Sequence, residues 1–245
     1  METLAAEPIG EADLVAYLGK GIASSYIKAL RASPGCLVPN YDDLLVGDIV
    51  LSRKAARRPH ALTSLLPSIE SHQRSIERLK TTDAWRWTHS MLYVGRLHVA
   101  ESQKSFRAIG TTVSPLTKPA NIELVVCRRR DRDEIEGFDA YRRNAALYAL
   151  MDHAVNKRDY GRKRIVAIST DGRGFISKIA GRVFPPDFSK EIICSEFVLE
   201  ALAIGGKMLT QEWEQLKTPQ SFFYPGDFYA HPSFETVPLT YLSLA

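Results

Sequence analysis

Cysteine is scarce in this chain: three residues, Cys36, Cys127 and Cys194, among 245. An odd, sparse set with no Cys-x-x-Cys pair argues against a disulfide framework and against a zinc finger. Long apolar runs are missing as well. None approaches the roughly 18 residues a membrane span needs. The opening stretch, Met1-Glu2-Thr3-Leu4-Ala5-Ala6-Glu7, is acidic where a signal peptide is basic and then apolar. These absences lead to the expectation of a cytoplasmic protein without a transmembrane segment, with secretion by a specialised system as the open alternative. No internal repeat or linker divides the sequence, so a single domain over 1–245 is expected.

A strong charge imbalance is also lacking. Lys and Arg number 32 against 28 Asp and Glu, a net charge of +4. The basic residues gather locally in Arg53-Lys54-Ala55-Ala56-Arg57-Arg58 and in Cys127-Arg128-Arg129-Arg130-Asp131-Arg132. Acidic residues follow the second cluster at once, so it reads as a solvated turn, and no nucleic-acid partner is expected.

What is present is a mixed pattern. Residues 11–31 carry Leu14, Tyr17, Leu18, Ile22, Ile27 and Leu30 at helical spacing, although Gly19 and Gly21 interrupt it. With the residues around it, this forms an N-terminal helical extension, 1–33. Gly47-Asp48 makes a turn into a short buried strand, Ile49-Val50-Leu51. Residues 53–86 read as an inserted excursion with a polar helical run from Ser68 to Lys80, either a lid beside a site or a surface decoration. Ser90–Val94 and Leu97–Ser102 alternate as two strands about a Gly95-Arg96 turn. A Thr- and Pro-rich loop, Thr111–Pro119, precedes a third strand, Ile122–Cys127. A long helix covers 133–156, with Ile135, Phe138, Ala145, Leu147, Tyr148, Met151 and Val155 as candidate core. A weaker helical pattern spans Phe175–Ala180. Thr218–Pro232, rich in Pro and aromatics, reads as an ordered loop.

The chemistry centres on Glu191-Ile192-Ile193-Cys194-Ser195-Glu196-Phe197-Val198. Phe197, Val198, Ala201 and Leu202 define a buried stripe that starts a helix at Cys194 and ends it near Gly205-Gly206. A helix N-terminus favours a thiolate. The expected hairpin brings His89 and Glu101 to near cross-strand positions, where a carboxylate holds one imidazole N–H and leaves the other ring nitrogen for sulfur. Cys194, His89 and Glu101 thus read as nucleophile, base and orienter. Taken singly, each has a plainer reading: Cys194 as a buried hydrophobe, His89 as an edge histidine, Glu101 as a solvated carboxylate. His98 falls on the opposite strand face from Glu101 and reads as structural. Cys36 and Cys127 lack a helix start and read as inert. His89, His98 and Cys194 lack metal-ligand spacing, so neither metal nor cofactor is expected.

In their order along the chain these motifs resemble the NlpC-type papain-like cysteine hydrolases, in the circularly permuted, YiiX-like branch. Gly47-Asp48-Ile49-Val50-Leu51 is similar to that family's Gly-Asp strand. His89-Ser90-Met91-Leu92-Tyr93-Val94-Gly95 is similar to its His strand, and Val99-Ala100-Glu101-Ser102 to the strand of the third residue. Cys194-Ser195-Glu196-Phe197-Val198 resembles the nucleophile helix and comes last, as permutation requires. The likeness covers roughly 44–52 and 87–230; the 53–86 excursion and the N-terminal helix depart from it. The resemblance implies an α+β papain-like fold, an antiparallel sheet packed against the nucleophile helix, with extra helices. It implies a cysteine hydrolase, a peptidase or amidase with a Cys194-His89-Glu101 triad, acting through an acyl-enzyme on a peptide or acyl substrate. It also implies tyrosines at the oxyanion or substrate, for which Tyr160 and Tyr93 are the candidates. Two other functions stay open: a lipid-directed thiol acyltransferase or hydrolase similar to the lecithin–retinol acyltransferase group, with Phe222, Phe223, Tyr224, Phe228 and Tyr229 as an acyl pocket, and a catalytically silent binding or effector module.

Overall fold

The alternating buried segments fold into a mixed α+β structure around one six-stranded antiparallel sheet. The computed structural model describes residues 6–33, 35–54, 73, 77–80, 82–104, 109–130, 137–156, 158–160, 191–205 and 224–245. The Phe175–Ala180 helix, most of the 53–86 excursion, and Phe222 and Phe223 lie outside them.

The sheet is built from β3 (Ile49–Lys54), β4 (His89–Gly95), β5 (His98–Lys104), β6 (Ile109–Pro115), β7 (Ile122–Arg129) and β10 (Phe234–Val237), in the order β10-β7-β3-β4-β5-β6. Successive side chains point to opposite faces. Ile49, Leu51, Leu92, Ala100 and Cys127 therefore join one core, while Val50, Met91, Tyr93, Val99 and Val126 join another. β3 is buried on both faces, which is why Ile49-Val50-Leu51 reads as an unbroken apolar run.

One face is covered by α1 (Glu11–Leu18) and α2 (Lys20–Arg31), through Leu14, Leu18, Ala23, Tyr26, Ile27 and Leu30. The continuous helix expected over 11–31 is broken at Gly19, whose φ of 80° is costly for any residue with a Cβ. The N-terminal segment is integral to the fold. β1 (Glu7–Ile9) runs parallel to β11 (Tyr241–Leu244), and β11 pairs in turn with β2 (Val38–Pro39). The other face is covered by α4 (Phe138–Met151) and α5 (Cys194–Glu200); α3 (Glu77–Lys80) and α6 (Pro225–Ala230) pack near the start of α5.

Several sequence expectations are corrected. The 111–119 loop is largely strand: β6 pairs with β5 from His98↔Pro115 to Lys104↔Ile109. Its polar Thr and Ser residues conceal the alternation. In α4 the buried positions are Tyr141, Ala145, Ala146 and Ala149, whereas Leu147 and Met151, and Val155 in the turn that follows, are exposed. The helix approaches the sheet largely on its alanine side, so Leu147 and Met151 face out. Part of the tail expected to be a loop is the helix α6, with Phe228 fully buried in the core. Phe228 thus packs in the core beside Phe234. The second basic cluster begins within β7. Arg128 donates to Asp48 through Nε (2.9 Å) and Nη2 (2.7 Å), and to the Asp43 carbonyl at 2.8 Å.

That ion pair explains the Gly47-Asp48 turn. Gly47 has φ 89°, and a Cβ there would stand 2.9 Å from Arg142 Cβ on α4. Asp48 is buried, and its Oδ2 also accepts the Leu45 N–H at 2.8 Å. Removing one partner of a buried pair strands the other charge. Asp48→Ala is expected to cost about 3 kcal/mol in urea unfolding; an unchanged midpoint and slope would show that the turn does not depend on this bridge.

Candidate active site

The site is assembled where the hairpin β4–β5 meets the start of α5. The hairpin turns on Arg96 and Leu97, both left-handed (φ 48° and 53°), with Gly95 opposite His98. Two residues of positive φ are the mark of a two-residue turn whose twist matches the strands. The turn thus falls one residue later than the expected Gly95-Arg96. Leu97 is held there by full burial and by the Tyr93 hydroxyl, which accepts its N–H at 3.2 Å.

The register follows. Leu92 faces Ala100 and Tyr93 faces Val99, so the same count places Glu101 opposite Met91. Glu101 is then diagonal to His89 rather than directly across. The offset from direct opposition is two residues, so both stay on one face; an offset of one would have separated them. Diagonal neighbours lie within reach of long side chains. His89 Nε2 donates to Glu101 Oε2 at 2.6 Å. Ser114 on β6 donates to the other carboxylate oxygen, Glu101 Oε1. The sequence alone does not point to Ser114, because polar residues disguise the strand that carries it.

Cys194 opens α5. Ile193 precedes it in extended conformation (φ −98°, ψ 164°), and Glu196 Oε2 accepts the Ile193 N–H at 3.3 Å. Phe197, Val198, Ala201 and Leu202 are all buried, as their spacing predicts, and they fix the helix on the sheet. Ahead of it, β9 (Glu191–Ile192) runs parallel to β8 (Asp159–Tyr160), with Tyr160 opposite Ile192. Ser102 Oγ on β5 donates to the Ile192 carbonyl at 2.9 Å. At the far end of α5, Glu200 accepts from Arg158 Nη1 at 2.9 Å and from the Tyr148 hydroxyl. Arg158 also pairs with buried Asp152 at 2.8 Å, and Asp152 accepts from Thr111 on β6 at 2.8 Å. This polar network ties the far end of the Cys194 helix to α4 and β6.

The Cys194 thiol and the His89 ring lie close enough for each to shift the other's proton affinity. With Nε2 engaged by Glu101, Nδ1 is the ring nitrogen left for sulfur. Burial alone would push the imidazole down. The charge of the Cys194 thiolate and its hydrogen bond, reinforced by Glu101, outweigh burial and raise His89 to about 10. Burial likewise pushes the thiol up, but the His89 charge and hydrogen bond, with donors from Ser90, bring it below the ordinary thiol value. The favoured state is an imidazolium–thiolate pair. Cys127 shows the contrast: burial, and then the nearby Asp48, push its thiol up to about 12.

Of the predicted site residues, Cys194, His89 and Glu101 converge. Tyr93 does not. It lies four residues along β4 from His89, buried among Leu14, Leu18 and Tyr26, with its hydroxyl 3.4 Å from that of Tyr17. The backbone of Tyr160 is brought beside Ile192, two residues from the sulfur; its side chain lies outside the described residues. His98 donates from Nδ1 to the Arg96 carbonyl at 2.7 Å and takes a structural place in the turn. Just before His89, Trp87 packs between the Arg53 guanidinium (4.6 Å) and the Tyr229 ring (5.7 Å). Arg53 also pairs with Glu123.

The chain matches no protein-family model, and a search of curated proteins returns no match.

The ion pair separates the three thiols chemically, because the thiolate is the species that alkylates. Iodoacetamide at neutral pH is expected to label Cys194 well ahead of Cys127 and Cys36, read by peptide mass spectrometry. Equal labelling of the three would contradict the thiolate.

Proposed function

We propose that the chain is a thiol-dependent hydrolase of amide bonds, in peptides or cell-wall-like peptide linkages, on a permuted papain-like fold. The observation that carries this reading is the continuous chain of contacts from Cys194 sulfur through His89 to Glu101 and Ser114. A histidine with no role has no need of a carboxylate on one nitrogen and a thiol near the other. The strand order supports the fold: the Gly47-Asp48 strand, the His89 strand and the Glu101 strand are neighbours, as β3-β4-β5.

In this reading the thiolate attacks the substrate carbonyl, and the Cys194 backbone N–H helps hold the oxyanion. His89, already protonated, gives its proton to the departing amine. The resulting thioester is cleaved by water. His89 takes a proton from that water as it attacks, and the acid product leaves while the thiolate and imidazolium are restored. Glu101 keeps the ring oriented throughout, and Ser114 keeps Glu101 oriented. The sulfur is nearly inaccessible (Cys194 is 2% exposed), whereas the His89 side chain is 24% exposed, so substrate approaches from the imidazole side.

A panel of muropeptides and fatty-acyl esters, read by mass spectrometry for product and for covalent adduct, tests the reading. Turnover of amide-linked peptides is expected, lost by about 10²–10⁴-fold in His89→Ala and abolished in Cys194→Ala. A stable fatty-acyl adduct on Cys194 would point instead to lipid acyl transfer. Neither turnover nor adduct across the panel would favour a binding module and overturn the hydrolase.

A further inference from the structure

The nucleophile has a neighbour that neither the motif nor the proposed mechanism uses. Ser90 follows His89 on β4 and is fully buried. Its Oγ is buried and makes no hydrogen bond of good geometry within the protein. A buried hydroxyl without an acceptor is costly, and native structures rarely leave one so. The acceptor within its reach is Cys194 sulfur, which it approaches together with the Ser90 backbone N–H.

The strand geometry explains why both groups point there. Tyr93 N–H donates to the Asp48 carbonyl at 2.8 Å, toward β3. By the two-residue period, the N–H of Ser90 points the other way, toward β5. Pairing of β4 with β5 runs from Gly95↔His98 to Leu92↔Ala100, and Ser90 lies beyond it. The peptide leading into α5 bridges the two strands at that place. Ser102 on β5 holds the Ile192 carbonyl, and Ser90 on β4 faces the sulfur two residues later. Sulfur thus lies where the strand ladder leaves a donor unused.

We propose that Ser90 is a second anchor of the Cys194 thiolate, donating to sulfur from its N–H and its hydroxyl independently of His89. This rests on the reading of Cys194 as nucleophile. It assigns Ser90 a part in the chemistry: it stabilises the attacking anion, and its donors weaken their hold as sulfur loses charge in forming the thioester. Acylation moves no proton to or from Ser90.

The test is the rate of Cys194 alkylation by iodoacetamide against pH in the full chain, with Cys36 and Cys127 as internal references. In Ser90→Ala the midpoint is expected to rise by roughly one pH unit, making alkylation about tenfold slower on the acid side. Ser90→Gly, which also lacks the hydroxyl but differs in packing, is expected to match it. Superimposed curves for wild type and both variants, with a low midpoint in all, would overturn the role of Ser90 and leave the nucleophile standing. A wild-type midpoint as alkaline as that of Cys127 would remove the nucleophile itself. His89→Ala tests the same proposal without touching Ser90. Its midpoint is expected to stay near that of a free thiol, roughly 8.5, despite burial; a climb to the range of Cys127 would mean that His89 alone holds the anion.

Discussion

A buried thiolate and a half-buried imidazolium are each unfavourable alone, and the structure depends on their being held together. An isolated charge of either sign in the interior costs several kcal/mol. In contact, each supplies the counter-charge the other lacks, and the surrounding donors and acceptors complete the set. Glu101 accepts from the far nitrogen of the ring, Ser114 donates to Glu101, and Ser90 faces the sulfur. Remove any one and its neighbour is left as a desolvated polar group, which is the expensive outcome in a low-dielectric site. The balance between burial and pairing is visible in the contrast between Cys194 and Cys127. Both are buried, and only the one with a cation beside it has its thiol lowered.

The rest of the fold serves to bring that pair into contact. Three strands from two parts of the chain are fixed side by side, with β3 locked at its start by the Asp48–Arg128 bridge and by the close approach of Gly47 to α4. The Cys194 helix is held at both ends, by Ser102 on the Ile192 carbonyl and by Arg158 and Tyr148 on Glu200. A residue placed on a helix and one placed on a strand are held more exactly than two on loops. Here the sulfur sits on the first residue of a helix and the imidazole on the first residue of a strand. The N-terminal helices pack on Met91, Tyr93 and Val99, farther along the same strands, and so support the site from the sheet face that α5 does not cover.

Much of this was legible in the sequence because period and order carry it. Alternation gives the β4–β5 hairpin, the apolar run gives β3, and the stripe Phe197, Val198, Ala201, Leu202 gives α5 with Cys194 at its head. What was not legible depends on tertiary choices. The register differs from the expected one because Arg96 and Leu97 adopt left-handed conformations, unusual for residues with a Cβ and sustained here by the burial of Leu97. β6 was hidden because polar Thr111, Thr112 and Ser114 stand where apolar residues signal a strand; two of them make hydrogen bonds to acidic partners instead. Tyr93 carried a motif likeness, yet its place four residues from His89 puts it under α1. In α4 an Ala-rich side packs inward because small residues let the helix come close, which apolarity alone does not reveal.

The central claim is that His89 carries a proton at neutral pH because the sulfur beside it does not. The most direct measurement is an NMR titration of the His89 imidazole in wild type and in Cys194→Ala. The account predicts an imidazolium that loses its proton near pH 10 in wild type, and a fall toward the ordinary histidine value of roughly 6.5 once the sulfur is gone. A wild-type ring already neutral at pH 7, or one whose titration is unmoved by loss of the sulfur, would contradict it.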